Sequence, residues 1–204
     1  MTSDAHVIEA IESVTKTDQA TLDRLHASLA ALSSIEGLLD ASYSFMESPI
    51  GKLMLVSTDV GLIKVAFENE DFDKVLMDLG ERIGPRLLHA PERLAPVERE
   101  LRQYFDGERT DFDLTLDLSL TRGFRQVVQL HLVDIGYGMT RSYKEVAASV
   151  GNPNATRAVG SACATNPLPI VLPCHRVLRS DGSLGGYAGG LDAKRTLLAL
   201  ERAA

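Results

Sequence analysis

The 204-residue chain has no tryptophan, only two cysteines and 5% aromatic residues. Two thiols cannot build a disulfide framework or a four-cysteine zinc site, so stability must come from an ordinary apolar core. No apolar run approaches the roughly 20 residues of a membrane-spanning helix, which predicts no membrane partner. The start, Met1-Thr2-Ser3-Asp4-Ala5-His6, lacks the basic and apolar regions of a signal peptide. A reducing, cytoplasmic setting is the expectation. Excess positive charge is missing too: the net charge is −7, which in a uniform chain would argue against nucleic acid. The chain is not uniform. Residues 1–121 carry 11 Lys+Arg against 23 Asp+Glu, a balance of −12, and residues 122–204 carry 10 against 5, a balance of +5. An acidic half joined to a basic half fits one module that meets phosphate and one that does not; it fits ordinary solvated surface as well.

What is present is patterned. Residues 1–42 read as a helical extension, with Leu22, Leu25, Leu29 and Leu32 at helical spacing and Gly37 as a stop. Tyr43–Ser48 and Lys52–Ser57 read as a hairpin about Pro49-Ile50-Gly51, with a third strand over Gly61–Phe67. Phe72–Ile83 is expected as a helix, Arg86–His89 as a short strand and Pro96–Phe105 as a second helix. Residues 43–107 thus form a small α/β domain with no visible catalytic constellation. The alternating Phe112, Leu114, Leu116 and Leu118 make 108–121 an extended linker packed on a surface. A mostly helical domain follows over 122–204, opening with a helix over Gly123–Ile135.

Ser142 is placed to cap a short helix to Val150, with Glu145 completing a capping box. Gly151-Asn152-Pro153-Asn154 then turns the chain into a second helix, Ala155–Ala164, so the pair reads as a helix-turn-helix. The second helix offers almost nothing that reads base edges. Ala155, Ala158, Gly160 and Ser161 are small, and Arg157 is its one long cation. Such a smooth helix suits the rails of a minor groove with Arg157 reaching into the base stack; packing inside a helix bundle suits it equally. Beyond it, an apolar run expected as a strand delivers Leu172-Pro173-Cys174-His175-Arg176-Val177. A neighbouring imidazole can take a thiol's proton and leave a nucleophile. The alternative is a buried cysteine with a chance histidine neighbour.

Several motifs occur in order: Tyr137-Gly138 with Ser142-Tyr143, Arg157-Ala158-Val159-Gly160, Asn166-Pro167, Pro173–Val177, Gly186–Gly190, Lys194 and Glu201. Together they resemble the catalytic domain of the O6-alkylguanine-DNA alkyltransferases, the methylated-DNA–protein-cysteine methyltransferases. The first half, with Ser48-Pro49-Ile50-Gly51, is more loosely similar to that family's ribonuclease-H-like domain. The resemblance implies a helix-turn-helix of winged-helix type in the second half. It also implies stoichiometric transfer of an alkyl group from guanine O6, and from thymine O4, in double-stranded DNA to Cys174, leaving an irreversible thioether. His175 would deprotonate Cys174 through a water and Glu201 would orient His175. Tyr143 would donate to the departing base, Arg157 would be the intercalating finger on the helix carrying Ala155, Ala158, Gly160 and Ser161, and Asn166 would hold the turn. Pro169, Val177, Tyr187, Ala188 and Gly189 would line the alkyl pocket, with Lys194 bracing the Gly186–Gly190 loop. Neither metal nor cofactor is required, and a monomer is the default. Cys163 is a small packing residue or a second reactive thiol.

Two rival classes remain. A non-catalytic sensor of alkylated DNA lacks the acceptor cysteine, which this chain has, and a DNA-binding regulator should carry base-reading side chains on its second helix. A cysteine hydrolase would need direct contact between Cys174 and His175, awkward for neighbours on an extended strand, whose side chains face opposite ways.

Overall fold

The computed structural model describes residues 18–203; the part of the expected extension before Asp18 lies outside them. Helix α1 (Gln19–Ile35) belongs to one compact unit ending at Leu38, and the chain from Leu39 onward forms another. In α1 the leucines at 22, 25, 29 and 32 are all exposed.

The second unit opens on a four-stranded sheet in the order β3-β2-β1-β4. Strands β1 (Ala41–Met46), β2 (Leu53–Ser57) and β3 (Leu62–Phe67) are antiparallel neighbours, and β4 (Leu87–His89) lies parallel to β1. The hairpin and third strand match the expected pattern, with β1 starting two residues early. Alternation along β2 splits its buried side chains between two cores, as a pleated strand requires. Along β3 the split is offset by a register shift at Val56/Ser57 that leaves Ile63 out of step with Val65. Leu53, Leu55, Val65 and Phe67 face helix α3 (Pro91–Phe105) together with Leu168, Ile170 and Leu197 from the second half. Met54, Val56, Ile63 and Ala66 face helix α2 (Phe72–Ile83). Helix α3 begins five residues earlier than its interior proline suggested. Pro91 takes the first turn, where a missing N–H costs nothing, and Pro96 is tolerated within the helix.

The free edge of β3 is covered rather than exposed. Leu62 N–H donates to Thr115 C=O, Asp117 N–H to Leu62 C=O, and Val65 N–H to Pro167 C=O. The 108–121 segment is therefore an extended strap whose Phe112, Leu114, Leu116 and Leu118 pack on the first core. Its buried Asp117 accepts a 2.6 Å bond from Thr58 Oγ1.

In the second half, helix α4 is shorter than expected (Gly123–His131) and passes into one 3-10 turn at Leu132–Asp134. Helices α5 (Tyr143–Ser149) and α6 (Thr156–Ala164) flank the Gly151 turn, and α7 (Gly190–Ala203) closes the chain. The capping box is present: Glu145 N–H donates to Ser142 Oγ and Ser142 N–H to Glu145 Oε2. A short parallel pair, β5 (Arg141–Ser142) with β6 (Val177–Leu178), was not foreseen. It ties the start of α5 to the segment just after Cys174. Val128, Leu132, Val146, Val159 and Ala162 form this half's own core, which also receives Cys163, Cys174 and Val177.

Gly61 allows the strap to approach, because a Cβ there would sit 2.6 Å from the Thr115 carbonyl carbon. Backbone, not a flexible side chain, would have to move. Gly61→Ala is expected to lower the unfolding free energy by about 1–3 kcal/mol, measured by urea denaturation.

Candidate active site

The apolar run before Cys174 is not a strand. Pro167, Pro169 and Pro173 remove three N–H donors that a ladder would need, and the chain turns instead. Leu172 N–H donates to Leu168 C=O, Cys174 N–H to Leu172 C=O and Arg176 N–H to Pro173 C=O. Cys174–Arg176 is a single 3-10 turn, with β6 beginning only at Val177. Ile170 is held at φ 74 while 1% exposed, a left-handed conformation that costs a branched residue about 1–2 kcal/mol and that burial must offset. Asn166 fixes the turn at both ends: its Nδ2 donates to Leu172 C=O at 2.7 Å and its Oδ1 accepts Leu168 N–H at 3.0 Å. Cys174 and His175 therefore do not lie on an extended strand, and alternation does not keep their side chains apart as expected for a strand. What sets their chemistry is the hydrogen bonding of the imidazole.

That bonding centres on Glu201, 3% exposed on α7. His175 Nε2 lies 2.8 Å from Glu201 Oε1. Arg176 Nη2 donates to Oε1 at 2.8 Å and Arg176 Nε to Oε2 at 3.0 Å, a forked ion pair. Tyr104 donates its hydroxyl to Oε1 at 2.8 Å, and Gly138 N–H reaches Oε2 at 3.2 Å. Burial alone would raise the carboxyl's pKa; the bonds from His175 and Arg176 overcome it and hold it down to about 2. His175 is fully buried. Burial pushes its pKa down, against the opposing pull of Glu201, so the ring is neutral with its Nε2–H toward the carboxylate. Its Nδ1 has no hydrogen-bond partner among the described residues. Cys174 is 4% exposed. Burial raises its thiol pKa, while the Asn166 amide and the Lys194 ammonium pull it down. Thiol and imidazole thus both rest uncharged.

Around them, Tyr143 is half-buried, its phenol pushed up to about 12 by burial and then by the nearby thiols. Gly185 makes room for that ring: a Cβ would lie 2.8 Å from Tyr143 Cε2. Tyr187 stacks edge-on at 5.4 Å from Phe67 and 6.4 Å from His175. Gly189 also lies against Phe67, and Asn69 Nδ2 bonds Ala188 C=O at 2.8 Å. Pro169 and Val177 are buried. Lys194 is fully buried, but it does not brace the glycine loop: its Nζ donates to Val177 C=O at 2.7 Å. On the far face of α6, Arg157, Ala158 and Ser161 are exposed, Ala155 and Gly160 half-exposed, and Val159, Ala162 and Cys163 turn inward. Burial pushes the Cys163 thiol up to about 12, so it rests as a packing residue. Arg157 has no ion-pair partner among the described residues.

The sequence reading missed Arg176 and Tyr104. The first was discoverable, since a charge inside an apolar run must be paired once buried. The second lies 97 residues from its partner and belongs to the half that showed no chemistry, so nothing local marked it. Among the described residues no cluster of His, Cys, Asp and Glu could hold a metal ion, and no helix is long and apolar enough to cross a membrane.

Removing the Glu201 charge would leave Arg176 buried and unpaired. A carboxylate whose folded pKa is depressed contributes stability above its ordinary value of 4.5, and that contribution fades as pH falls toward about 2. Glu201→Gln is expected to cost about 3–5 kcal/mol at pH 7. The gap from the unmodified protein should narrow at pH 3, both read by urea denaturation.

Residues 123–203 match the family profile described as 6-O-methylguanine DNA methyltransferase, DNA binding domain. Residues 41–118 match that described as 6-O-methylguanine DNA methyltransferase, ribonuclease-like domain. The chain is 42% identical over 160 residues to the methylated-DNA–protein-cysteine methyltransferase of Mycolicibacterium paratuberculosis, covering 78% of this chain and 92% of the relative. It is 42% identical over 159 residues to the Methanosarcina barkeri protein of the same name, covering 78% and 96%. Among solved structures, Mycobacterium tuberculosis OGT in complex with DNA superposes with a TM-score of 0.69 at 38% identity, over 79% of this chain and 93% of that one.

Proposed function

Because the chain belongs to the 6-O-methylguanine DNA methyltransferase family, whose activity is direct repair of DNA by alkyl transfer to a protein cysteine, we propose that Cys174 accepts the group from O6 of guanine in double-stranded DNA. One observation carries the residue assignment. Glu201 holds His175 by Nε2, so the unpartnered Nδ1 is left as the acceptor on the ring's other side. A water bridging Nδ1 and Sγ passes the thiol proton to the imidazole, and Glu201 stabilises the imidazolium as it forms. The thiolate attacks the alkyl carbon in line. An S–C bond forms, the C–O bond breaks, and its electron pair stays with the guanine. Tyr143, neutral because burial raises its pKa, donates to the leaving base; the proton lost by the thiol replaces it in the net reaction. The products are an S-alkylcysteine and guanine. Nothing in the chain reverses a thioether, so each molecule acts once.

The target base must leave the stack to meet a buried thiol. The exposed small face of α6 suits the minor groove, Arg157 the gap left behind, and O4-alkylthymine is a second substrate of the same class. Pro169, Val177, Tyr187, Ala188 and Gly189 line the alkyl pocket, with Lys194 and Asn166 shaping the turn behind the thiol. The mixed sheet, with β4 parallel and the other pairs antiparallel, supports a ribonuclease-H-like reading of 43–107. The β5–β6 pair beside α5 and α6 supports a winged-helix reading of 122–204, with 108–121 as the linker and the whole acting as a monomer.

Incubation with a duplex carrying O6-methylguanine should add one methyl group, mapped to Cys174, and stop at one equivalent; a multiple-turnover product or a methyl elsewhere overturns the assignment. The methylated protein should melt lower, since an added methyl in so close a site is overpacking. Arg157→Ala should keep the rate on free O6-benzylguanine while repair of duplex falls by about tenfold or more, the flipping cost being a few kcal/mol. An equal loss on both substrates would place Arg157 in the chemistry instead.

A further inference from the structure

Tyr104 comes from the half of the chain that bears the acidic surplus, yet its side chain ends at the catalytic acid–base pair. The residue is fully buried on α3, and its hydroxyl donates to Glu201 Oε1 at 2.8 Å. That oxygen is also the one 2.8 Å from His175 Nε2. The phenol ring is fixed by edge-on or tilted contacts with Phe105, Phe112 and Tyr137 at 5.4–6.0 Å, so the hydroxyl has little freedom to choose another acceptor. Burial pushes its pKa up, and the Glu201 charge pushes it further. The hydroxyl is therefore a permanent donor.

We propose that Tyr104 is a positioning residue for alkyl transfer: its hydroxyl shares Glu201 Oε1 with His175 and thereby limits how strongly that carboxylate draws the imidazole proton. An acceptor oxygen divided between donors gives each less. With Tyr104 in place, part of the Oε1 charge is spent on the phenol and part on Arg176. His175 stays neutral and available as a base. Without the hydroxyl, Oε1 turns more of its charge on Nε2–H, the imidazolium is favoured and the base is occupied at higher pH. The other charged or titratable groups facing the ring are Glu201, Arg176 and Lys194, with Cys174 and Tyr187 beside it. Arg176 is locked on Glu201 and on Ile135 C=O, and Lys194 on Val177 C=O. Tyr104 is the contributor that the acidic half supplies, so the packing of α3 against α7 sets the state of the base.

The inference rests on His175 being that base, and the test separates the two claims. Single-turnover transfer from O6-methylguanine duplex, read by intact mass with protein in excess, is measured from pH 5.5 to 9 for the full chain. The unmodified protein should lose rate on the acid side, and His175→Gln should abolish that limb along with most of the rate. Tyr104→Phe, which keeps the ring packing, should move the limb to higher pH by roughly half a unit. Replacing Tyr104 by 3,5-difluorotyrosine, a stronger donor, should move it to lower pH. It also provides a reading if the phenylalanine variant does not fold. An acid limb that survives in His175→Gln sinks the base and Tyr104 together. A limb abolished by His175→Gln yet unmoved by either Tyr104 variant, with only the melting temperature lowered, leaves the base standing and overturns Tyr104's role.

Discussion

A buried carboxylate is the constraint around which this site is built. Moving Glu201 out of water costs several kcal/mol unless its lone pairs are filled, and they are filled from four directions. The donors come from α3, from the glycine preceding β5, and from His175 and Arg176 on the turn after Pro173. The donors come from three separate stretches of chain, so satisfying one charge fixes the mutual placement of all of them. Arg176 neutralises the charge with a geometry that a lysine could not reproduce, because only the guanidinium fork reaches both oxygens while its third nitrogen caps Ile135 C=O.

Packing explains the glycines near the thiol. Gly185 and Gly189 do not sit at positive φ. They are small because aromatic rings press against them, Tyr143 on one and Phe67 on the other. The 185–190 segment is thus held between a ring from each half of the chain, Tyr143 at one end and Phe67 near the other, and Asn69 ties Ala188 from the sheet side. The loop is supported by residues over a hundred positions away in the chain.

How much of this could be read beforehand divides by range. Elements governed by local rules were legible: the hairpin from its Pro49-Ile50-Gly51 turn and the Ser142 capping box from four residues. The small residues of α6 fitted a groove-facing helix and a bundle-packed one equally, and only the fold turns Arg157, Ala158 and Ser161 outward. Where a local rule was overridden, reading failed. Pro96 looked like a helix start because an interior proline normally ends a helix, yet α3 absorbs it. The run ending in Cys174 looked like a strand because it is apolar and branched, yet three prolines leave too few donors for a ladder. Residues of the site within the ordered motifs were named, whereas Tyr104 was invisible because its function exists only through a contact across the core.

The resting state of the pair is the opposite of what a reactive cysteine usually shows. Reactive thiols in general sit in electropositive, partly exposed surroundings that keep them ionised. Here burial keeps the Cys174 thiol protonated and the His175 ring neutral. A standing thiolate would be oxidised or alkylated by any small electrophile, and for a protein whose acceptor works once, that is loss of the molecule. Keeping both groups neutral confines the charge-separated state to the moment of transfer. The cost of creating it then falls on preorganised partners already in place: Glu201 beside the imidazole and Lys194 near the sulfur. Reactivity then rests on those partners and not on the thiol's own acidity, which suits a single-use acceptor.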